Sequence, residues 1–140
     1  MRQRRLAQIK KPSMLACALI EDGGRYLFLE SKDIAGKSRF ELPSVFVYAG
    51  EDPVSALQKA ILEDCGIDAQ VGHAIITGEY RAGSKRGRVL VPALGFTVSA
   101  KSYKAVISDR FVAYKWMGAK ESLAVKLEKK SEWLKSAKKA

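Results

Sequence analysis

The spacing of apolar residues changes along the chain, and the changes predict the order of strands and helices. Apolar, strand-like runs lie on both sides of the polar turn Glu21-Asp22-Gly23-Gly24, which is a strong hairpin signal. A second pair of strand-like runs brackets a glycine-rich, cationic segment, and this arrangement predicts a second, longer hairpin. The four runs comprise residues 13–20, 25–31, 69–80 and 88–99.

Between the two hairpins, a short strand-type stretch at residues 40–47 gives way to a helical pattern. The apolar residues of this pattern share the spacing of one helical face: Val54, Leu57 and Ile61. Asp52 is a good N-cap, and Pro53 suits the first helical position, where a missing N–H costs nothing. Gly66 supplies a left-handed stop. The sequence therefore predicts a capped helix over residues 53–65.

The end of the chain shows a second helical pattern. Leu123, Leu127 and Leu134 form an apolar stripe, and lysines occupy much of the remaining surface. This pattern predicts a closing helix over residues 119–137, after which Lys138 and Lys139 are expected to fray.

Composition and charge limit the class of protein. The chain has 140 residues, of which 47% are hydrophobic, so it suits one domain with a packed core and is not disordered throughout. We expect a basic tail at residues 1–12 and a single domain at residues 13–140. The formal net charge of +10 favours a polyanionic partner such as a nucleotide or a nucleic acid. The alternative is a basic surface without such a partner.

The two cysteines, Cys17 and Cys65, lie in apolar stretches and lack the spacing of a metal site. We interpret them as reduced, buried thiols, which are typical of a cytoplasmic protein. No apolar run is long enough to cross a membrane.

Two adjacent carboxylates in the last turn of the predicted helix, Glu63 and Asp64, are candidate catalytic groups and metal ligands. Together with position 60 they share one helical face, but that position holds Ala60. Because Mg²⁺ is often held through one or two carboxylates plus water and substrate phosphate, this pair could still bind one ion. The alternative is a solvated helix end at which Glu63 pairs with Lys59.

Residues 45–67 resemble a degenerate form of the signature of the Nudix hydrolase superfamily. Glu51, Ile61, Glu63 and Gly66-Ile67 fall on signature positions without a gap. The chain departs from the signature at four positions: Val45 replaces a glycine, Lys59 an arginine, and Ala60 and Asp64 each a glutamate.

The resemblance implies an α/β sandwich, in which a curved, mixed sheet lies between the signature helix and a C-terminal helix. It also implies a structural ion pair between Glu51 and Lys59. A further glutamate of the family, often a metal ligand or general base, aligns with Arg110, and the alternative is that the adjacent Asp109 takes its place through a shift of one residue in register. A cation at this position has the wrong charge for either role, so we expect Mg²⁺ binding to be weak or lost.

Two functions follow as hypotheses. The first is a Nudix-fold domain that binds a nucleotide or RNA with impaired or absent hydrolysis. The candidate phosphate-binding residues are Arg81, Lys85, Arg86 and Arg88, in and next to the cationic hairpin tip. The second is a Mg²⁺-dependent pyrophosphohydrolase that acts on a linked nucleoside diphosphate. A structural role within a larger ribonucleoprotein assembly is a third hypothesis, and the resemblance implies that the chain could form a homodimer. A merely solubilising hairpin tip is the alternative to a phosphate site.

Overall fold

The computed structural model describes residues 11–84 and 87–140, without the side chains of residues 82–88. Its described residues form an eight-stranded mixed sheet. The strands are β1 (Met14–Asp22), β2 (Arg25–Lys32), β3 (Ser38–Glu41), β4 (Ser44–Val47), β5 (Ala69–Ser84), β6 (Gly87–Ala100), β7 (Ala113–Met117) and β8 (Lys138–Lys139).

The sheet is built around β1, which pairs antiparallel with β2 and β4 and parallel with β6. β2 also pairs with β3 and β7, whereas β6 continues through β5 to β8. Both predicted hairpins are confirmed, and Gly23 and Gly24 have the positive φ angles of 63° and 81° that the first turn requires. The second hairpin is longer than expected, since β5 and β6 pair from Ala69 to Ser84.

The helix α1 (Pro53–Cys65) has the predicted bounds and caps. The Asp52 carboxylate accepts hydrogen bonds from the backbone N–H groups of Val54 and Ser55, both at 3.3 Å. Gly66 ends the helix in the left-handed conformation, with φ of 65°, and its N–H donates to the carbonyl of Leu62.

The core lies on both faces of the sheet, because successive side chains of a strand point to opposite sides. Ala16, Ala18 and Ile20 of β1 belong to the cluster that contains the apolar face of α1. Leu15, Cys17 and Leu19 belong to the opposite cluster, which includes Leu127 and Trp133 from the C-terminal segment. The predicted sandwich is therefore confirmed.

The prediction of one closing helix over residues 119–137 is wrong. The structure has a short helix α2 (Ala119–Ala124) and a separate 3₁₀ helix (Lys129–Ser136). Between them the chain runs beside Phe40, which donates its N–H to the carbonyl of Lys126 and accepts from the N–H of Glu128. This pairing with a strand residue far away in sequence holds Leu127 in the core and interrupts the helix.

The prediction that Lys138 and Lys139 fray is also wrong. These residues form β8, which pairs with Thr77 and Ile76 of β5. Backbone pairing orders them although their side chains are exposed.

Cys17 and Cys65 are buried and free, as expected. Burial raises the pKa of each thiol to about 12, so both stay protonated at neutral pH. Among the described residues, no helix has the length and apolar character needed to span a membrane.

Candidate functional site

The last turn of α1 holds the two candidate carboxylates in different environments. Asp64 is only 6% exposed, whereas Glu63 is exposed. Ala60, one turn earlier, is buried and brings no polar atom to this face. Only Asp64 therefore enters the protein interior, where a charged group needs a partner.

Arg110 is that partner. Its Nη1 atom lies 3.1 Å from Oδ1 and 3.2 Å from Oδ2 of Asp64, so one nitrogen donates to both carboxylate oxygens. The Ser108 hydroxyl donates a longer hydrogen bond, 3.4 Å, to Oδ1. The side chain of Arg110 remains 61% exposed, while that of Asp64 is 9% exposed. The sequence placed Arg110 at the position of a family glutamate but gave no sign that it would bind Asp64.

Backbone hydrogen bonds fix the loop that carries Arg110. The N–H groups of Val106 and Ser108 donate to the carbonyls of Cys65 and Asp64, at 2.7 and 3.1 Å. These carbonyls belong to the last turn of α1, where a helix has no donors of its own left. Gly66 allows the approach, because a Cβ atom there would lie 2.9 Å from the Val106 carbonyl oxygen. The end of α1 thus positions Arg110 through the main chain.

A second buried carboxylate, Glu41, lies at the end of β3 and was missed by the sequence interpretation. It is 7% exposed, and its Oε2 lies 3.8 Å from Nζ of Lys130. Burial raises the pKa of Glu41, while the charges of Lys130 and Arg110 oppose the rise and those of Glu128 and Asp64 add to it. The two ion pairs, Asp64 with Arg110 and Glu41 with Lys130, are together called the charge cluster below. The available signal was a carboxylate inside the apolar stretch Phe40-Glu41-Leu42.

The charge cluster adjoins aromatic side chains on the sheet. Nζ of Lys130 lies 5.8 Å from the ring centroid of Phe46. Phe46 in turn packs edge-on against Tyr80, at 5.3 Å between centroids. Lys130 is therefore held between a carboxylate and a ring.

The expected ion pair between Glu51 and Lys59 is not formed. Glu51 accepts a hydrogen bond of 2.8 Å from the N–H of Tyr48, and its own N–H donates to the Tyr48 carbonyl. Lys59 is exposed, and the described ion pairs do not include it. Glu51 therefore closes its own loop by local contacts with Tyr48.

The two remaining acidic candidates, Asp109 and Glu63, take part in none of the described ion pairs. Asp109 is exposed, and it is the neighbouring Arg110 that reaches Asp64. Glu63 has no ion pair with Lys59 among the described contacts, so the alternative of a paired helix end is not formed either.

The described carboxylates do not fit a divalent ion. No group of three or more histidine, cysteine, aspartate or glutamate residues is arranged for one within residues 11–84 and 87–140. Both oxygens of Asp64 are already bound to Arg110, and Ala60 offers no ligand. Of positions 60, 63 and 64 on this helical face, only Glu63 then carries an exposed carboxylate.

The cationic hairpin candidates are placed only in part. Arg81 is exposed on β5. Lys85 and Arg86 lie outside the described residues, and so does the side chain of Arg88. A phosphate-binding role for these four residues stays a prediction.

Comparison with protein-family models and with curated proteins finds no match. Solved structures do match. The E. coli ORF135 protein superposes with a TM-score of 0.69 at 20% identity, over 87% of this chain and 85% of that one. The E. coli dihydroneopterin triphosphate pyrophosphohydrolase gives 0.67 at 18% identity, over 92% and 97%.

A NUDIX hydrolase from Nitrosomonas europaea gives a TM-score of 0.56 at 21% identity, over 81% of this chain and 77% of that one. Identities this low establish the architecture and leave the chemistry open. The chain has the fold of the Nudix hydrolase superfamily.

Proposed function

We propose that this chain binds a phosphate-bearing ligand, a nucleotide or RNA, at the surface around Arg110, with impaired or absent hydrolysis. The observation that carries the proposal is the contact of one Arg110 nitrogen with both carboxylate oxygens of Asp64. It puts a fixed cation at the end of α1, where the residue pattern predicted a metal-binding carboxylate pair.

Arg110 has the chemistry to bind phosphate while it holds Asp64. Within the described part of the chain, Nη1 is the guanidinium atom that is hydrogen-bonded to protein. The remaining N–H donors belong to a side chain that is 61% exposed, and a guanidinium offers a planar set of donors that matches phosphate oxygens. Because Asp64 orients the group in advance, less side-chain entropy is lost on binding.

The net charge of the chain favours the same class of ligand. A formal charge of +10 attracts anions over a distance set by the ionic strength. Two of the structural neighbours are named as a dihydroneopterin triphosphate pyrophosphohydrolase and an ADP-ribose pyrophosphatase, and both names describe phosphate compounds. We extend this ligand class to the present chain as part of the proposal.

Hydrolysis is proposed to be impaired because the carboxylates needed for metal-assisted attack are not free. A metal-dependent mechanism uses bound ions to activate water and to stabilise the leaving oxygen. Here Asp64 is bound to Arg110, and Ala60 has no side-chain ligand to offer. On this helical face, Glu63 is then the one carboxylate that is not bound to a cation among the described contacts. The Mg²⁺-dependent pyrophosphohydrolase is the competing hypothesis that the experiment must separate.

The test is binding of a nucleotide panel and a single-stranded RNA by titration calorimetry, in EDTA and in Mg²⁺. We expect binding in EDTA, and we expect Arg110→Ala to weaken it at least about tenfold, since a hydrogen bond to a charged group contributes about 1.5–3 kcal/mol. Arg25→Ala is the matched control. Arg25 is exposed and lies about 17 Å along β2 from Glu30, which adjoins the Arg110 loop.

Two results would overturn the proposal. One is the absence of binding in EDTA for every member of the panel. The other is release of phosphate or monophosphate in Mg²⁺ that Glu63→Gln abolishes, which would establish the hydrolase instead. For RNA, affinity must also fall steeply with added salt, because phosphate contacts release counterions.

A further inference from the structure

A largely apolar cavity of about 260 Å³ lies between the sheet and the two C-terminal helical segments, on the face of the sheet opposite α1. Its walls come from β1, β2 and β5 on one side and from α2 and the 3₁₀ helix on the other. None of the described residues that line it carries a charged side chain, and its polar side-chain groups are the hydroxyls of Tyr26 and Ser122. The lining residues do not include any member of the charge cluster, so the cavity is distinct from the surface around Arg110.

The interruption of the C-terminal helix shapes one side of this cavity. The segment that pairs with Phe40 separates α2 from the 3₁₀ helix, so the two approach the sheet as independent pieces. Leu123 of α2 and Leu134 of the 3₁₀ helix both line the space between them. Leu123 is 47% exposed, so the cavity opens to solvent at this wall.

A β-bulge in β5 builds the opposite wall. Ala74 pairs with Phe96 and Ile76 pairs with Gly95, so β5 holds one extra residue, Ile75, against β6. Consecutive residues of a regular strand point to opposite faces, yet Ile75 and Ile76 both line the cavity. Bulges re-aim side chains in this way and are over-represented next to functional sites. Ile75 remains 39% exposed, which leaves apolar surface that a ligand would cover.

We propose that this cavity binds a small, uncharged, apolar molecule that contains an aromatic ring. An apolar cavity of about 150 Å³ is enough to stay dry and bind benzene, and this one is larger. Water has few partners here, since a buried water needs about two to four polar groups and the Ser122 hydroxyl already donates to the Ala119 carbonyl at 2.8 Å. Phe28 and Tyr26 supply ring surfaces in the wall, against which an aromatic ligand packs in edge-on or offset geometry.

The test is a titration of fluorobenzene with the full-length protein, followed by ¹⁹F nuclear magnetic resonance, with no nucleotide or metal present. We expect a dissociation constant of about 1 mM or lower, which lies within the range of ligand efficiency for about seven non-hydrogen atoms. Toluene should displace fluorobenzene. Benzoate should not, although the chain is strongly basic, because its carboxylate would enter an apolar cavity without a partner.

Two variants that fill the cavity decide where the probe binds. Ala137→Phe adds a ring from the end of the 3₁₀ helix, and we expect it to weaken binding at least about tenfold, because the added ring occupies the space of the ligand. Ala119→Phe adds a ring from α2 and should have the same effect. The matched control is Ala124→Phe, since Ala124 is exposed on α2 and does not line the cavity, and this variant should bind as the wild type does. Circular dichroism confirms folding, and either filling variant suffices if the other does not fold.

No binding of fluorobenzene by the wild type would overturn the inference. Wild-type affinity in a folded filling variant would also overturn it, because the probe would then bind elsewhere on the surface. Displacement by benzoate as effective as that by toluene would show that the site takes anions and would contradict the inferred class of ligand.

Discussion

The contact between Asp64 and Arg110 predicts unequal costs for removing its two partners. Two unit charges about 4 Å apart interact by about 1 kcal/mol in water and about 4 kcal/mol at the effective dielectric constant of a protein surface. Because the side chain of Arg110 is 61% exposed and that of Asp64 is 9% exposed, we expect the interaction energy of this pair to lie in the lower half of that range. Arg110→Ala leaves a buried carboxylate unpaired and should lower the free energy of unfolding by about 2 kcal/mol. Asp64→Asn leaves an exposed guanidinium that water solvates, and should cost about 1 kcal/mol.

The assay is urea unfolding at pH 7 in EDTA, followed by tryptophan fluorescence, for both single variants and the double variant. The double-mutant cycle should give a coupling free energy of about 1 kcal/mol, because the second substitution removes a charge whose partner is already gone. Arg25→Ala is the control for loss of a surface cation and should change stability by less than about 0.5 kcal/mol. Equal costs for the two single variants, or a coupling free energy near zero, would refute the interpretation of Arg110 as the partner of a buried charge.

Two further predictions concern the groups around this pair. Gly66→Ala should destabilise the protein by more than about 1–2 kcal/mol in thermal or urea unfolding. Alanine would have to adopt the left-handed conformation of Gly66, and its Cβ would lie 2.9 Å from the Val106 carbonyl oxygen. A cost below about 0.5 kcal/mol would contradict the role of Gly66 as the anchor point for the Arg110 loop. Glu41→Gln should change the pH dependence of stability. Burial raises the folded-state pKa of Glu41, so the folded state binds more protons and the wild type loses stability as pH rises above the ordinary carboxyl pKa. Urea unfolding at pH 4 and pH 7 should show the wild type weakening relative to Glu41→Gln at the higher pH, and an unchanged or opposite difference would show that the charge of Lys130 outweighs burial.

The elements that the sequence predicted correctly depend on local signals. Asp52, Pro53 and Gly66 fix both ends of α1 through contacts within a few residues, and the glycine pair in the first hairpin supplies its own turn conformation. The match to the Nudix signature supplied the tertiary arrangement, because it identified α1 as a helix that packs against a curved sheet. These features need no knowledge of what lies opposite them in space.

The features that the sequence did not predict depend on contacts between distant residues. The expected closing helix is interrupted because Leu127 pairs with Phe40, and no local pattern encodes that pairing. The last residues form β8 because the edge of β5 offers them a partner. A periodic stripe of leucines fits a helix and an interrupted helix equally well, so local propensity alone could not separate them.

In the candidate site, too, the sequence predicted individual positions but not the contacts between distant residues. The signature register located Asp64, and a separate resemblance to the family, outside the signature, marked Arg110 as a cation where a carboxylate was expected. The bond between them spans 46 residues and was not predictable from either position. Glu41 and Lys130 come together from β3 and the 3₁₀ helix, and the latter was itself predicted as part of a longer α-helix.

The most direct test of Arg110 as the cation at the end of α1 is a crystal structure with Mn²⁺ and a nucleoside diphosphate. Anomalous scattering from manganese identifies the metal without ambiguity. We expect phosphate oxygens within hydrogen-bond distance of Arg110, the contact between Arg110 and Asp64 retained, and no manganese peak beside Asp64. A manganese ion bound between Glu63 and Asp64, with Arg110 turned away, would contradict it.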